Sequence, residues 1–288
     1  MRSAAIDIGS NSVRLLLWAD GRTLYKKTDT TRLGEGLART GALSAQAMAR
    51  TAEAVARFCA EAIEAGADPV CAFATAAVRG SENGADFVRI VKEHCGLDVD
   101  VLSGEREALA ALAGALGDRD GGVVDVGGAS TELTVRIGGR IYARSADVGA
   151  VRLKDACGED EAALSAFIAD KLSLFADAPV CPDLVAVGGT ATSLAALEKQ
   201  VVPYDPARIE GTVLTADGIE GWAHRLLSTR QEERLRLPGM DVRRADILGG
   251  GALLLAAAVR RAGADRVTVS ERDNLEGYLA LVQGGIGE

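Results

Sequence analysis

Two acids placed at the ends of apolar runs are the residues from which chemistry can be argued. Ile6-Asp7-Ile8-Gly9-Ser10-Asn11-Ser12 and Val124-Asp125-Val126-Gly127-Gly128-Ala129-Ser130 share one pattern: apolar, Asp, apolar, Gly, small, any residue, Ser. The two aspartates lie 118 residues apart, longer than any solenoid period, which points to a duplicated domain. In such a turn Gly9, Gly127 and Gly128 let the backbone approach a ligand closely. Successive N–H groups, helped by the hydroxyls of Ser10, Ser12, Ser130 and Thr131, can then cradle a phosphate. A carboxylate does not sit comfortably against phosphate. Asp7 and Asp125, with Glu132 close by, could instead hold a divalent cation that bridges to phosphate oxygens. The bland alternative is a tight turn whose Asp bonds local N–H groups. One loop alone would favour that reading; two matching loops in corresponding places reverse it.

The elements needed to position these loops can be read around them. Ala4 to Ile8, Val13 to Ala19 and Thr23 to Thr28 form short β-rich runs, a meander broken by the first loop and by Asp20-Gly21. Ser44 opens a helical pattern with Met48, Thr51, Val55, Cys59 and Ala62 on one face, closed by Gly66. A strand over Pro69 to Phe73, a helix from Asp86 to Cys95 capped by Gly96, a strand over Asp98 to Leu102 and a helix from Glu105 to Leu116 follow. A second meander then covers Gly122 to Val126, Thr131 to Ile137 and Arg140 to Ser145, with Gly138-Gly139 as a hairpin turn. Beyond it come a helix over Ala162 to Phe175, a strand over Leu184 to Val187 running into Gly188-Gly189-Thr190, and mostly helical patterns to the end. This alternation favours an α/β fold with a boundary near residue 120, giving units 1–120 and 121–288.

Composition narrows the partners. The chain has 288 residues with 32 Lys+Arg against 41 Asp+Glu, a net charge of −9. That argues against a nucleic-acid partner, which asks for a basic surplus or stripe. The five cysteines are odd in number and lack any C-x-x-C pair, against both a disulfide framework and a zinc site. An acid at position 7 interrupts any signal-peptide core, and the longest apolar stretch, near Ile247 to Val259, is too short for a bilayer. The expectation is a cytoplasmic protein with no membrane contact. His94 and His224 are the only histidines and lie in no motif. Lys26-Lys27, Arg243-Arg244 and Arg260-Arg261 read as solvated faces, although one of them could line a path for a long polyanion.

The order of motifs resembles a known family. Ala5 to Ser12, Leu33-Gly34-Glu35-Gly36-Leu37, Ala74-Thr75-Ala76-Ala77-Val78-Arg79, Ser103-Gly104-Glu105-Arg106-Glu107-Ala108, Val124 to Glu132, Gly149-Ala150-Val151-Arg152-Leu153 and Val187-Gly188-Gly189-Thr190-Ala191-Thr192 are similar to stretches of the exopolyphosphatase / guanosine pentaphosphate phosphatase family. That family lies within the superfamily of acetate and sugar kinases, heat-shock chaperones and actin. The resemblance implies two duplicated actin-like (ribonuclease H-like) α/β domains facing a central cleft. It also implies that Glu107 is the catalytic carboxylate, Arg79 a phosphate-binding arginine at the cleft edge, and Gly189-Thr190 a loop closing the cleft. Taken alone, Glu105 and Glu107 are explained by helix capping and the helix dipole, and Arg79 by a solvated loop. With the resemblance, the expectation is a Mg²⁺-dependent hydrolase in which Glu107 activates water for attack on the terminal phosphate of inorganic polyphosphate.

Departures from the family pattern qualify this. Ala129 stands where a third glycine is usual, a strain if the position needs positive φ. Arg106 stands where an acidic or polar residue is common, beside Glu107. The sequence stops at Glu288 without the helical extension of the long members, so the expectation is the short, two-domain form. Guanosine pentaphosphate is an alternative substrate, a non-hydrolytic sensor of polyphosphate or alarmone an alternative role, and a kinase a third reading against which the Glu107 stretch stands. A homodimer is compatible with the sequence but not called for by it.

Overall fold

The computed structural model describes residues 2–284; Met1 and residues 285–288, including the terminal Glu288, lie outside the described residues. The first half is built on β1 (Arg2–Ile8), β2 (Val13–Ala19), β3 (Arg22–Asp29), β4 (Val70–Ala74) and β5 (Val99–Val101). These form a five-stranded sheet in the order β3-β2-β1-β4-β5, the first three antiparallel and the last two parallel to β1. The second half repeats the plan with β6 (Gly121–Val126), β7 (Thr131–Ile137), β8 (Arg140–Ala146) and β9 (Leu184–Val187). Here β10 (Val213–Thr215) and β11 (Arg266–Val269) extend the sheet to the order β10-β11-β9-β6-β7-β8. In each half the Asp-bearing loop leaves the carboxyl end of the sheet's central strand, where open α/β sheets bind ligands.

Local sequence accounts for the element ends. The Ser44 hydroxyl accepts the Ala47 N–H at 3.1 Å and starts the helix Ala45–Glu64, whose Thr51, Val55, Cys59 and Ala62 are buried and whose Met48 is half-buried. Gly96 ends the helix Gly84–Cys95 in the left-handed conformation. Gly138 and Gly139 both have positive φ, as a two-residue hairpin turn demands, and Ile137 pairs with Arg140 across it. The expected helix over Ala162 to Phe175 is an α-helix, Glu161–Lys171, followed by a 3₁₀ turn, Leu172–Phe175. The late strands β10 and β11 were not expected. At three and four residues, alternating buried and exposed, they are too short for the period-2 pattern to stand out between helices.

Each sheet has its own Val, Leu, Ile and Ala core. The halves also exchange a helix: Gly104–Leu116 packs on β6, β7 and β8, while Asn274–Gln283 lies on β1 and β2 with Leu275, Tyr278 and Leu279 against Ala5, Leu16 and Phe73. The expected division near residue 120 therefore separates the helix Gly104–Leu116 from the sheet it covers. Those two helices cross at Gly114 and Gly277, so closely that a Cβ on Gly277 would overlap the Ala110 carbonyl. Among the described residues no helix is long and apolar enough to cross a membrane.

Candidate active site

The two loops are the same turn. Gly9 N–H donates to the Ser12 carbonyl and Gly127 N–H to the Ser130 carbonyl, each at 3.0 Å. Among the described residues, the N–H groups of Ser10, Asn11, Gly128 and Ala129 make no hydrogen bond, which leaves them to an anion. The loops face each other at contact distance: a Cβ on Gly128 would stand 2.8 Å from Ser10 Cβ and 3.3 Å from Asn11 N, so only glycine fits. Ala129 has no positive φ, and the strain expected from it is absent.

A cleft of about 1440 Å³ opens over these loops. Its walls carry Asp7, Gly9, Ser10, Asn11, Ser12, Glu107, Asp125, Gly127, Gly128, Ala129, Ser130 and Gly189 among the residues expected from sequence. Arg79, Thr131, Glu132 and Thr190 are not on the wall but directly behind it. The Thr131 hydroxyl donates to the Val148 carbonyl at 2.7 Å and that of Thr190 to the Val126 carbonyl at 2.9 Å, fixing the backbone on either side of the second loop.

Glu107 enters the cleft from the first turn of Gly104–Leu116, a helix started by the Ser103 hydroxyl, which accepts the Arg106 N–H at 3.2 Å. The residue is 6% exposed. Arg79 Nη1 donates to Glu107 Oε2 at 3.0 Å and to the Leu102 carbonyl at 2.7 Å, so this arginine holds the acid rather than facing the cleft. Burial pushes the Glu107 pKa up; Arg79 opposes it, Asp125 and Asp7 add to it, and the result is about 7. Arg106 points away: it forms a bidentate pair with Asp100 at 2.9 and 2.7 Å and does not change the charge beside Glu107.

The acids expected as a metal trio have separate environments. Asp7 lies opposite Arg14 on β2, whose Nε donates to Asp7 Oδ2 at 2.9 Å and whose fork also holds Asp273 and, at 2.6 Å, Asn274 Oδ1. The other oxygen, Asp7 Oδ1, is buried without a partner, and burial outweighs Arg14 in raising the Asp7 pKa. Asp125 is pushed to about 7 by burial, with Arg14 opposing. Glu132 is buried behind the wall, receives the Ser145 hydroxyl at 2.6 Å, and is held well above the usual carboxylate range by burial and by Glu107 and Asp125. Among the described residues no group of three or more His, Cys, Asp or Glu is arranged to hold a metal ion, and Glu132 Oε2, like Asp7 Oδ1, is buried without a hydrogen-bond partner. Asp7 and Asp125 remain as hard oxygen donors suited to a divalent cation that keeps most of its waters, and the orphaned Asp7 oxygen is the vacancy in hydrogen bonding that such an ion would fill.

Sequence reasoning passed over Arg14 and read Arg244 as part of a solvated face. Counting the register through the first loop would have placed Arg14 opposite Asp7. Arg244 has no such signal, because it reaches the cleft from a turn far along the chain. Its guanidinium lies against Gly189, where a Cβ would overlap it, and its nearest carboxylate, Asp241, is 3.9 Å away. Burial lowers its pKa. An under-partnered guanidinium beside two N–H-rich loops is an anion site. His94, bonded to the Ile90 carbonyl, and His224, paired with Glu161, are exposed and remote from the cleft.

A cleft between two halves built on the same strand plan, with paired anion loops and a buried carboxylate between them, defines a phosphate-handling enzyme. Residues 19–281 match the Ppx/GppA phosphatase family, and the chain belongs to that family and is a phosphatase-type hydrolase. It is 30% identical to "Exopolyphosphatase 2" of Mycobacterium tuberculosis over 98% of this chain and 99% of that protein. A stretch of 142 residues, 46% of this chain and 28% of the other, is 37% identical to a guanosine-5'-triphosphate,3'-diphosphate pyrophosphatase of Vibrio cholerae. The crystal structure of the Aquifex aeolicus Ppx/GppA family member superposes with a TM-score of 0.79 at 31% identity, covering 100% of this chain and 99% of that one.

Proposed function

We propose that this protein removes the terminal phosphate of inorganic polyphosphate, with Glu107 as the group that orients and deprotonates the attacking water. The observation that carries the reading is the buried Glu107 carboxylate, which enters the cleft from a helix outside the two matched anion loops and is held at a pKa near neutrality. Arg79 occupies Glu107 Oε2, which leaves Oε1 to receive the proton from water. The loop N–H groups and Arg244 bind the phosphate oxygens, and Gly128 brings the two loops close enough to share one chain end. Catalysis of this kind is mostly positioning and charge neutralisation. Mg²⁺ held by Asp7 and Asp125 would neutralise phosphate oxygens when bound. Burial of both carboxylates, and the unpartnered oxygen on Asp7, support that assignment.

Guanosine pentaphosphate is a second substrate on this reading. The cleft continues past Gly189 along Val202, Pro203, Tyr204, Leu237 and Met240, an apolar flank able to take a base, and the Vibrio relative's name points the same way. Phosphate release measured from both substrates, with Glu107→Gln alongside, tests the proposal. Release from neither substrate by the wild type, with tight binding of either, would establish a sensor instead; ATP-dependent transfer to an acceptor would establish a kinase.

A further inference from the structure

Three described non-glycine residues have positive φ: Asp20, Arg32 and Gln200. Asp20 lies in the hairpin turn between β2 and β3, where that conformation is ordinary. Arg32, at φ +51°, lies in the segment that follows β3. In this conformation its N–H donates to the Asn11 carbonyl at 2.8 Å, and Gly34 N–H donates to the Ser10 carbonyl at 2.8 Å. The segment is thus bonded to two consecutive carbonyls of the first phosphate loop, whose N–H groups on the other side are free for the ligand.

The Arg32 side chain crosses to the other half. Nη1 donates to Asp246 Oδ2 at 2.8 Å, and Nη2 donates to Asp246 Oδ1 at 3.1 Å and to the Arg243 carbonyl at 3.3 Å. These acceptors flank Arg244 in the chain. Arg244 is itself fixed in that turn by its N–H to the Asp241 carbonyl at 2.9 Å and by the Leu248 N–H on its carbonyl at 2.9 Å. A half-exposed ion pair contributes little to stability, so folding alone does not account for an arginine held in a strained backbone to make it. We propose that Arg32 is a positioning residue which ties the first phosphate loop to the turn bearing Arg244, so that the two sides of the anion site close on a phosphate chain in register. The proposal rests on the polyphosphate reading for its substrate, and its geometry is independent of Glu107.

Arg32→Gly is the informative variant, because glycine keeps the left-handed backbone without strain while the side chain and its guanidinium are removed. Asp246→Asn removes the partner charge. For the full chain, the Kd for inorganic tripolyphosphate by calorimetry and kcat/KM for phosphate release from polyphosphate are measured together. Each single change is expected to weaken both by about tenfold, the scale of contact coupling, and the double variant to be no worse than either. In an Arg244→Ala background Arg32→Gly should add nothing, and Arg32→Lys, which keeps one contact, should recover part of the loss. Wild-type Kd and kcat/KM in Arg32→Gly, or losses that add to those of Arg244→Ala, would overturn the proposal. Should Arg32→Gly not fold, Arg32→Lys and Asp246→Asn complete the same cycle. A wild type that binds tripolyphosphate without releasing phosphate sinks the hydrolytic reading and leaves the Kd cycle to decide on Arg32; one that binds none sinks both.

Discussion

Replacing Glu107 by Gln keeps the shape of the side chain and an oxygen for the Arg79 Nη1–H, now 3.0 Å from Oε2, but removes the carboxylate proposed to take the proton from water. Positioned acid–base groups contribute about 10²–10⁴ in rate. Because phosphoryl transfer is loose and its catalysis mainly electrostatic, we expect a fall in kcat of about 10²–10³, or roughly 3–4 kcal/mol of barrier. KM for polyphosphate should change little, since the loop N–H groups and Arg244 are untouched. The pH profile supplies a second readout. With the Glu107 pKa raised to about 7, the acid is protonated and idle below that value, so wild-type kcat should rise with pH through neutrality and level off above it. Asp125, also near 7, titrates with it, so the rise reports the pair. Steady-state phosphate release from pH 5.5 to 9 measures both. Undiminished release by Glu107→Gln at pH 8, or wild-type activity that falls from pH 6 to 8, would refute the assignment.

The other predictions address the surroundings of Glu107. Arg244→Ala should raise KM about tenfold to hundredfold with kcat nearly unchanged, and Gly189→Ala should reproduce it by displacing that guanidinium; initial-rate kinetics decide. Gly277→Ala should lower Tm by about 5–10 °C in a thermal melt, because the methyl group meets the Ala110 carbonyl at a backbone-to-backbone crossing. Asp7, Glu107, Asp125 and Glu132 all have raised pKa values in the folded chain, so their contribution to stability is fully present below the ordinary carboxylate range and is lost as pH rises. Tm without divalent cation should therefore fall between pH 5 and 8 by on the order of 5 °C. Added Mg²⁺ should restore it at pH 8 in the wild type and not in Asp125→Asn.

Much of this was legible because repetition and capping are local. The matched Asp loops, the Ser44 and Ser103 caps and the Gly138-Gly139 turn each need only neighbouring residues, and each lies where the pattern put it. What escaped is non-local. Glu132 matched a ligand by type, but its burial behind β6 and its tie to Ser145 depend on the packing of Gly104–Leu116 against the sheet. Arg79 matched a phosphate binder by position, yet folding turned it toward Glu107. Arg244 joined the site only because a loop far along the chain returns to Gly189, and two adjacent arginines carry no mark of which one is buried.

The duplication also shows how one turn came to serve two purposes. Asp7 pairs with Arg14 across β1 and β2, and Asp125 pairs with Glu132 across β6 and β7, at equivalent places in the repeat. The same Gly N–H to Ser carbonyl bond closes the turn on the two sides, so both are shaped to suit an anion. The cross-strand partner is opposite in sign, so they differ in charge. Asp7 has a countercharge that leaves one oxygen over, whereas Asp125 faces a second acid and, beyond it, Glu107. Three carboxyl groups in one buried layer cannot all ionise without a cation or a guanidinium close by. Burial is what chiefly lifts Glu107 toward neutrality, with Asp125 and Asp7 adding to it, and there it can work as a base. In a chain of net charge −9 a polyphosphate's negative charge would have to be met locally, by Arg244 and the loop N–H groups, since Arg14 is already held by Asp7, Asp273 and Asn274. A cation at Asp7 and Asp125 would supply the rest of that countercharge.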